Sequence, residues 1–137
     1  MTKIAVVGAT GRMGKVLITA VSANEKATLV AASVRPGGVG AGSVDAGDLA
    51  GVGSLDVTLV DDLASVIDQC DVVIDFTTPQ ATLKHLEICA HANKKIVVGT
   101  TGFSPEQLEQ LQTFGESHPM VFAPNYSIGV NAAFHLL

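Results

Sequence analysis

Short apolar runs alternate with longer amphipathic stretches along this chain, and that alternation predicts strands and helices in turn. Strands are expected at residues 3–7, 27–33, 56–59, 72–75, 95–98 and 120–122. Most of these runs are almost uninterrupted in Val, Ile, Leu and Ala, as in a parallel sheet covered on both faces. Helices are expected at residues 13–21, 79–92 and 104–113. The third opens Ser104-Pro105-Glu106-Gln107, a cap, a proline in the first turn and a glutamine three residues after the cap. Leu108 and Leu111 then share one helical face. Strand–helix alternation of this kind predicts an α/β fold, a doubly wound and mainly parallel sheet with helices on both faces. Residues 35–54 break the rhythm. They are rich in Gly, Ala and Ser and too long for a standard connection, so they read as a mobile loop with about one helical turn.

Composition narrows the picture. The 137 residues suit one domain, and 47% hydrophobic against 15% charged residues is enough to build a core. A net charge of -5 argues against a nucleic-acid or anionic-membrane partner, since both need clustered cations. No apolar run approaches the roughly 18 to 20 residues of a membrane span. The apolar stretch after Met1-Thr2-Lys3 is too short for a signal-peptide core, so the chain reads as cytoplasmic. Cys70 and Cys89 stand without a Cys-x-x-Cys or Cys/His cluster and read as buried apolar thiols, not metal ligands.

The strongest chemical signal is Gly8-Ala9-Thr10-Gly11-Arg12-Met13-Gly14, which follows the first strand and opens the first helix. Gly8 permits a tight turn, Gly11 lets the backbone approach a pyrophosphate, and Gly14 brings the helix close to the sheet. Amides at that helix end face the anion with the macrodipole behind them, worth about 0.3–1 kcal/mol per charge. The competing reading is a structural strand–turn–helix without a ligand. The surrounding βαβ pattern favours a dinucleotide-binding, Rossmann-like domain over residues 1–130. An NAD-selective site usually places Asp or Glu at the end of the second strand. Here the strand ends Ala32-Ser33-Val34-Arg35, with no acidic residue until Asp45. Arg35 suits a 2′-phosphate, so NADPH is the preferred cofactor expected, with NADH possible; the bland alternative is a solvated loop arginine.

Three further segments fall at expected strand ends: Asp75-Phe76-Thr77-Thr78-Pro79, Gly99-Thr100-Thr101-Gly102-Phe103 and Ala123-Pro124-Asn125-Tyr126-Ser127, the last continuing to Asn131. Together with the glycine turn and Ser43-Val44-Asp45-Ala46-Gly47-Asp48, they make five ordered motifs in which the chain resembles the dihydrodipicolinate reductases. The resemblance covers essentially the whole chain. It implies reduction of the cyclic product of dihydrodipicolinate synthase, the substrate now called 4-hydroxy-tetrahydrodipicolinate, with NADH or NADPH, on the diaminopimelate and lysine pathway. It implies that residues 8–13 hold the pyrophosphate, with Arg12 near the adenine side. It further implies that Gly99, Thr100 and Thr101, with Ala123, Pro124, Asn125 and Tyr126, surround the nicotinamide and its ribose, with Phe76 beside them. The family often carries an acidic residue where this chain has Val34, a departure that weighs against efficient NADH use.

The family's proton donor and substrate clamp, a paired-histidine and lysine segment followed by Ser-Gly-Thr, do not occur in this sequence. After Lys95 there is no Lys or Arg. No catalytic residue is therefore assigned, and no metal. His135 reads as structural, and His85 and His91 as surface or helix-end residues. Residues 131–137 read as the start of an apolar helix that stops in mid-course, so a truncated product without its substrate domain is expected. Surface exposed by that loss would favour self-association. Two other functions compete. A short-chain dehydrogenase needs Tyr-x-x-x-Lys, but the residue four after Tyr126 is Val130. A non-catalytic NADP(H)-sensing or interaction module is the alternative from a different class.

Overall fold

The computed structural model describes residues 1–124. The expectations on Asn125 and Tyr126, on His135 and on the helix begun at residue 131 lie outside the described residues. The elements are β1 (Thr2–Val7), α1 (Arg12–Ala23), β2 (Ala27–Ser33), the short α2 (Ala46–Ala50), two 3-10 turns (Leu63–Ser65 and Ile67–Gln69), β3 (Val72–Asp75), α3 (Pro79–Ala92), β4 (Lys95–Val98), α4 (Pro105–Ser117) and β5 (Met120–Phe122).

The five strands form one sheet in the order β2-β1-β3-β4-β5, every pair parallel. Side chains alternate between its faces, as a period of two requires. Ile4, Val6, Ile74 and Val97 join Leu17, Ile18 and Val21 of α1 in one core. Ala5, Val7, Val73, Ile96 and Val98 meet Leu86 and Cys89 of α3 and Leu111 of α4 in the other. Helices therefore cover both faces, which explains why the strands read as unbroken apolar runs. Each fully buried Val, Leu or Ile contributes about 1.5–3 kcal/mol relative to exposure.

The order of the strands also places a crevice. The chain leaves β1 for β2 on one side and returns to β3 on the other. At such a reversal the loops after the two central strands part, and ligands of open α/β sheets enter there.

One expected strand did not form. Residues 56–59 make only an antiparallel bridge between Asp45 and Thr58, followed by a parallel bridge from Val60 to Ser33. Backbone pairing explains the difference. Asp56 adopts φ +60°, which ends an extended run. Val57 gives its N–H to the Asp45 carboxylate, and Leu59 gives its N–H to Val44 O. The hydrogen bonds a strand would spend on β2 go instead to residues 42–46. The loop at residues 35–54 contains the expected helical turn, α2, and is tied down by Asp45. That carboxylate accepts from the N–H groups of Gly47, Asp48, Leu55 and Val57.

Candidate functional site

The glycine turn sits at the mouth of the crevice. Gly8 adopts φ +65°, and a Cβ there would come within 2.6 Å of the Thr77 methyl. Gly11 donates to Gly8 O at 3.0 Å, closing the turn. A Cβ on Gly14 would run into the Gly8 carbonyl oxygen and the Ala9 backbone, so only glycine lets α1 sit this close. Ala9 is buried and donates to Ser33 O at 3.0 Å, fastening the turn to the end of β2. Thr10, Gly11 and Arg12 are exposed, and Met13 is half-buried.

Capping separates this helix from the others. Asp45, Thr78 and Ser104 cap α2, α3 and α4 with side-chain oxygens, and Ser104 and Gln107 form a complete capping box. The N-cap of α1 is Gly11, which has no side chain to accept a bond, and its first turn holds no carboxylate. Its opening amides, at the positive end of the macrodipole, thus take no side-chain cap, the arrangement in which a helix N-terminus can accept an anion.

At the end of β2, Val34 is buried and Arg35 exposed. Arg35 O accepts from Gly38 N–H at 2.8 Å in a tight turn. The Asp61 carboxylate accepts from Gly37 N–H at 3.2 Å, which brings an acidic group to the Arg35 turn. Sequence reasoning missed Asp61. It looked for a carboxylate directly after β2, whereas the loop folds one back from far along the chain.

Across the crevice, Phe76 is half-buried, with its ring in the space a Cβ on Gly99 would need. Thr100 is buried and Thr101 exposed. Ala123 is buried and donates to Val98 O at 2.9 Å, and Pro124 is exposed. Beneath these loops lies a polar network. Asp75, wholly buried, accepts from Thr77 Oγ1 at 2.5 Å. Thr77 N–H donates to Thr100 Oγ1 at 2.9 Å, and the Thr82 and Thr100 hydroxyls lie 2.8 Å apart. His85 Nδ1 is 2.8 Å from Asp75 Oδ2, its side chain only 17% exposed. This corrects the expectation of a surface histidine. His85 sits on the second turn of α3, facing the carboxyl end of β3, and only that packing pairs it with Asp75.

The candidate residues from Gly8 to Met13, with Phe76, Gly99, Thr100, Thr101, Ala123 and Pro124, thus belong to the loops at the carboxyl ends of β1, β3, β4 and β5 and, for Arg12 and Met13, to the first turn of α1. Arg35 follows β2 on the same edge. A groove of about 630 Å³ lies elsewhere, between α3 and α4, lined by Leu83, Leu86, Glu87 and Phe114 among others. No group of three or more His, Cys, Asp or Glu could hold a metal among the described residues. Cys70 and Cys89 are free and buried, and burial pushes their thiols up to about 11 and about 12. Neither is a thiolate nucleophile at neutral pH. No described helix is long and apolar enough to cross a membrane.

A parallel sheet wound on both faces, with a glycine turn at its switch point and an uncapped helix behind it, defines a Rossmann-like α/β domain. More narrowly, the chain belongs to the family described as "Dihydrodipicolinate reductase, N-terminus", whose model matches residues 2–126. It is 53% identical to a 4-hydroxy-tetrahydrodipicolinate reductase of Hahella chejuensis, over all of this chain and 51% of that protein. A dipicolinate-bound dihydrodipicolinate reductase from Paenisporosarcina sp. TG-14 superimposes with TM-score 0.69 at 33% identity, covering 93% of this chain and 49% of that one. An amine dehydrogenase from Mycobacterium smegmatis gives TM-score 0.68 at 26% identity, over 88% of this chain and 38% of the other. The chain spans about half the length of the curated relatives it matches.

Proposed function

We propose that this chain is the NAD(P)H-binding part of a 4-hydroxy-tetrahydrodipicolinate reductase, with NADPH preferred over NADH. The observation that carries the reading is the pairing of an uncapped α1 with a glycine turn at the switch point of the sheet. The residues fit the group. Gly8, Ala9, Thr10, Gly11, Arg12 and Met13 would hold the pyrophosphate through backbone amides, with Arg12 toward the adenine. Phe76, Gly99, Thr100, Thr101, Ala123, Pro124, Asn125 and Tyr126 would surround the nicotinamide half. When bound, the dihydronicotinamide supplies a hydride. This chain's own part is to bind and orient, because it offers no lysine or arginine after Lys95 to clamp a dicarboxylate or donate a proton. Alone it should bind cofactor without turning over substrate.

Arg35 is the basis for the cofactor preference. It is exposed beside the second strand's end, and Val34 turns into the core, where it offers nothing to a ribose 2′-hydroxyl. A charge-assisted bond to a 2′-phosphate is worth about 1.5–3 kcal/mol, about one to two decades in affinity. Asp61 at the same turn opposes this by its charge, so the preference sits at the lower end of that range. Calorimetric titration with NADPH and NADH tests the reading. NADPH should bind about tenfold more tightly or better, and Arg35→Ala should bring the two together. NADH binding the more tightly, or a ratio indifferent to Arg35→Ala, would defeat it.

A further inference from the structure

We propose that His85 is a positioning residue for the nicotinamide half of the crevice, acting through Asp75 on Thr77 and Thr100. The inference rests on the cofactor reading above and assigns a role to a residue outside the set proposed to contact the cofactor. Its ground is the buried network at the end of β3. The Asp75 side chain is fully buried, and a buried carboxylate is costly unless its lone pairs are matched. A carboxylate oxygen accepts, so the 2.8 Å contact is a hydrogen bond that the His85 ring gives from Nδ1 to Oδ2. Oδ1 accepts from Thr77 Oγ1, which fixes the threonine rotamer.

The same threonine makes a second link through its backbone. The Thr77 N–H reaches Thr100 Oγ1 at 2.9 Å, joining the loop after β3 to the loop after β4. Thr82, on the same helix as His85, completes the contact with Thr100 at 2.8 Å. Gly99 N–H donates to Asp75 O at 2.8 Å, and the Phe76 ring covers Gly99. His85 therefore anchors the two loops on which Phe76, Gly99, Thr100 and Thr101 are carried. No buried side-chain nitrogen or oxygen lacks a partner among the described residues, so the network is complete with the histidine and incomplete without it. Among the described residues Arg35 and the first turn of α1 take no hydrogen bond from it, and it nears the glycine turn only through the Thr77 methyl beside Gly8, so the adenosine end of a dinucleotide should sense its loss far less.

The test compares two ligands on the same chain by calorimetry: NADPH, and adenosine 2′,5′-bisphosphate, which lacks the nicotinamide half. His85→Leu should weaken NADPH about tenfold or more while changing the bisphosphate less than about twofold. His85→Asn, whose amide N–H stands near the place of Nδ1, should restore most of the loss. Should His85→Leu fail to fold, Thr77→Val carries the same test, because it deletes the hydroxyl and keeps the methyl that lies against Gly8. Equal loss of both ligands, unchanged NADPH affinity, or no rescue by asparagine would overturn the assignment. An unmutated chain that binds the bisphosphate but not NADPH would also overturn it, and one that binds neither would sink the cofactor reading beneath it.

Discussion

Gly14 shows how one absent methyl group can hold a site together. In an ordinary helix interior, Gly→Ala stabilises by up to about 1 kcal/mol. At Gly14 the added Cβ meets the Gly8 carbonyl and the Ala9 backbone, neither of which can swing aside like a flexible side chain. Overpacking of this kind costs about 1–3 kcal/mol, so the sign should reverse. Urea unfolding of Gly14→Ala should give a lower midpoint, with cofactor affinity falling alongside; a stabilised variant would contradict the close approach. The role of these glycines was legible because Gly8, Gly11 and Gly14 are neighbours in sequence, and their spacing alone describes a turn. His85 and Asp61 were not legible for the opposite reason. Their meaning comes from Asp75 and from the Arg35 turn, which only tertiary packing brings beside them.

Between elements, hydrogen-bond competition decided what apolar pattern alone left open. Residues 56–59 carry a strand's sequence, but Asp45 takes the Leu55 and Val57 amides and the edge of β2 gains only the Val60 bridge. The other strands were legible to within a residue, since a buried parallel sheet writes itself as apolar runs; the helices were less so at their ends, α4 continuing to Ser117 past the expected residue 113. The Asp45 staple makes a prediction about acid. The Leu55 N–H, followed by those of Val57, Asp48 and Gly47, holds this carboxyl below its ordinary 3.8 against the opposing effect of partial desolvation. A carboxyl whose pKa is lowered on folding contributes stability above the unfolded value, and loses it as pH falls through the folded one. Thermal midpoints of the chain should therefore fall more steeply below pH 3.8 than those of Asp45→Asn, in which the acid-dependent part is gone. Parallel profiles for the two proteins would show that the staple does not hold in solution.

For the molecule as a whole, strand order, capping and the glycine turn converge on one edge of the sheet. The switch between β1 and β3 sets the loops apart, side chains satisfy α2, α3 and α4, and α1 alone among these helices lacks a side-chain cap. The architecture was readable because each strand–helix unit announced itself locally. The chain spans about half the length of the curated relatives it matches, so this convergence concerns the nucleotide side alone. The function proposed above requires that a diphosphate sit on the first turn of α1. Amide-resolved NMR during titration with NADPH measures that directly. The Arg12, Met13 and Gly14 amides should shift strongly while the first-turn amides of α4, already capped by Ser104, stay in place. Saturable NADPH binding that leaves those three amides unmoved, or no binding at all, would contradict the central claim.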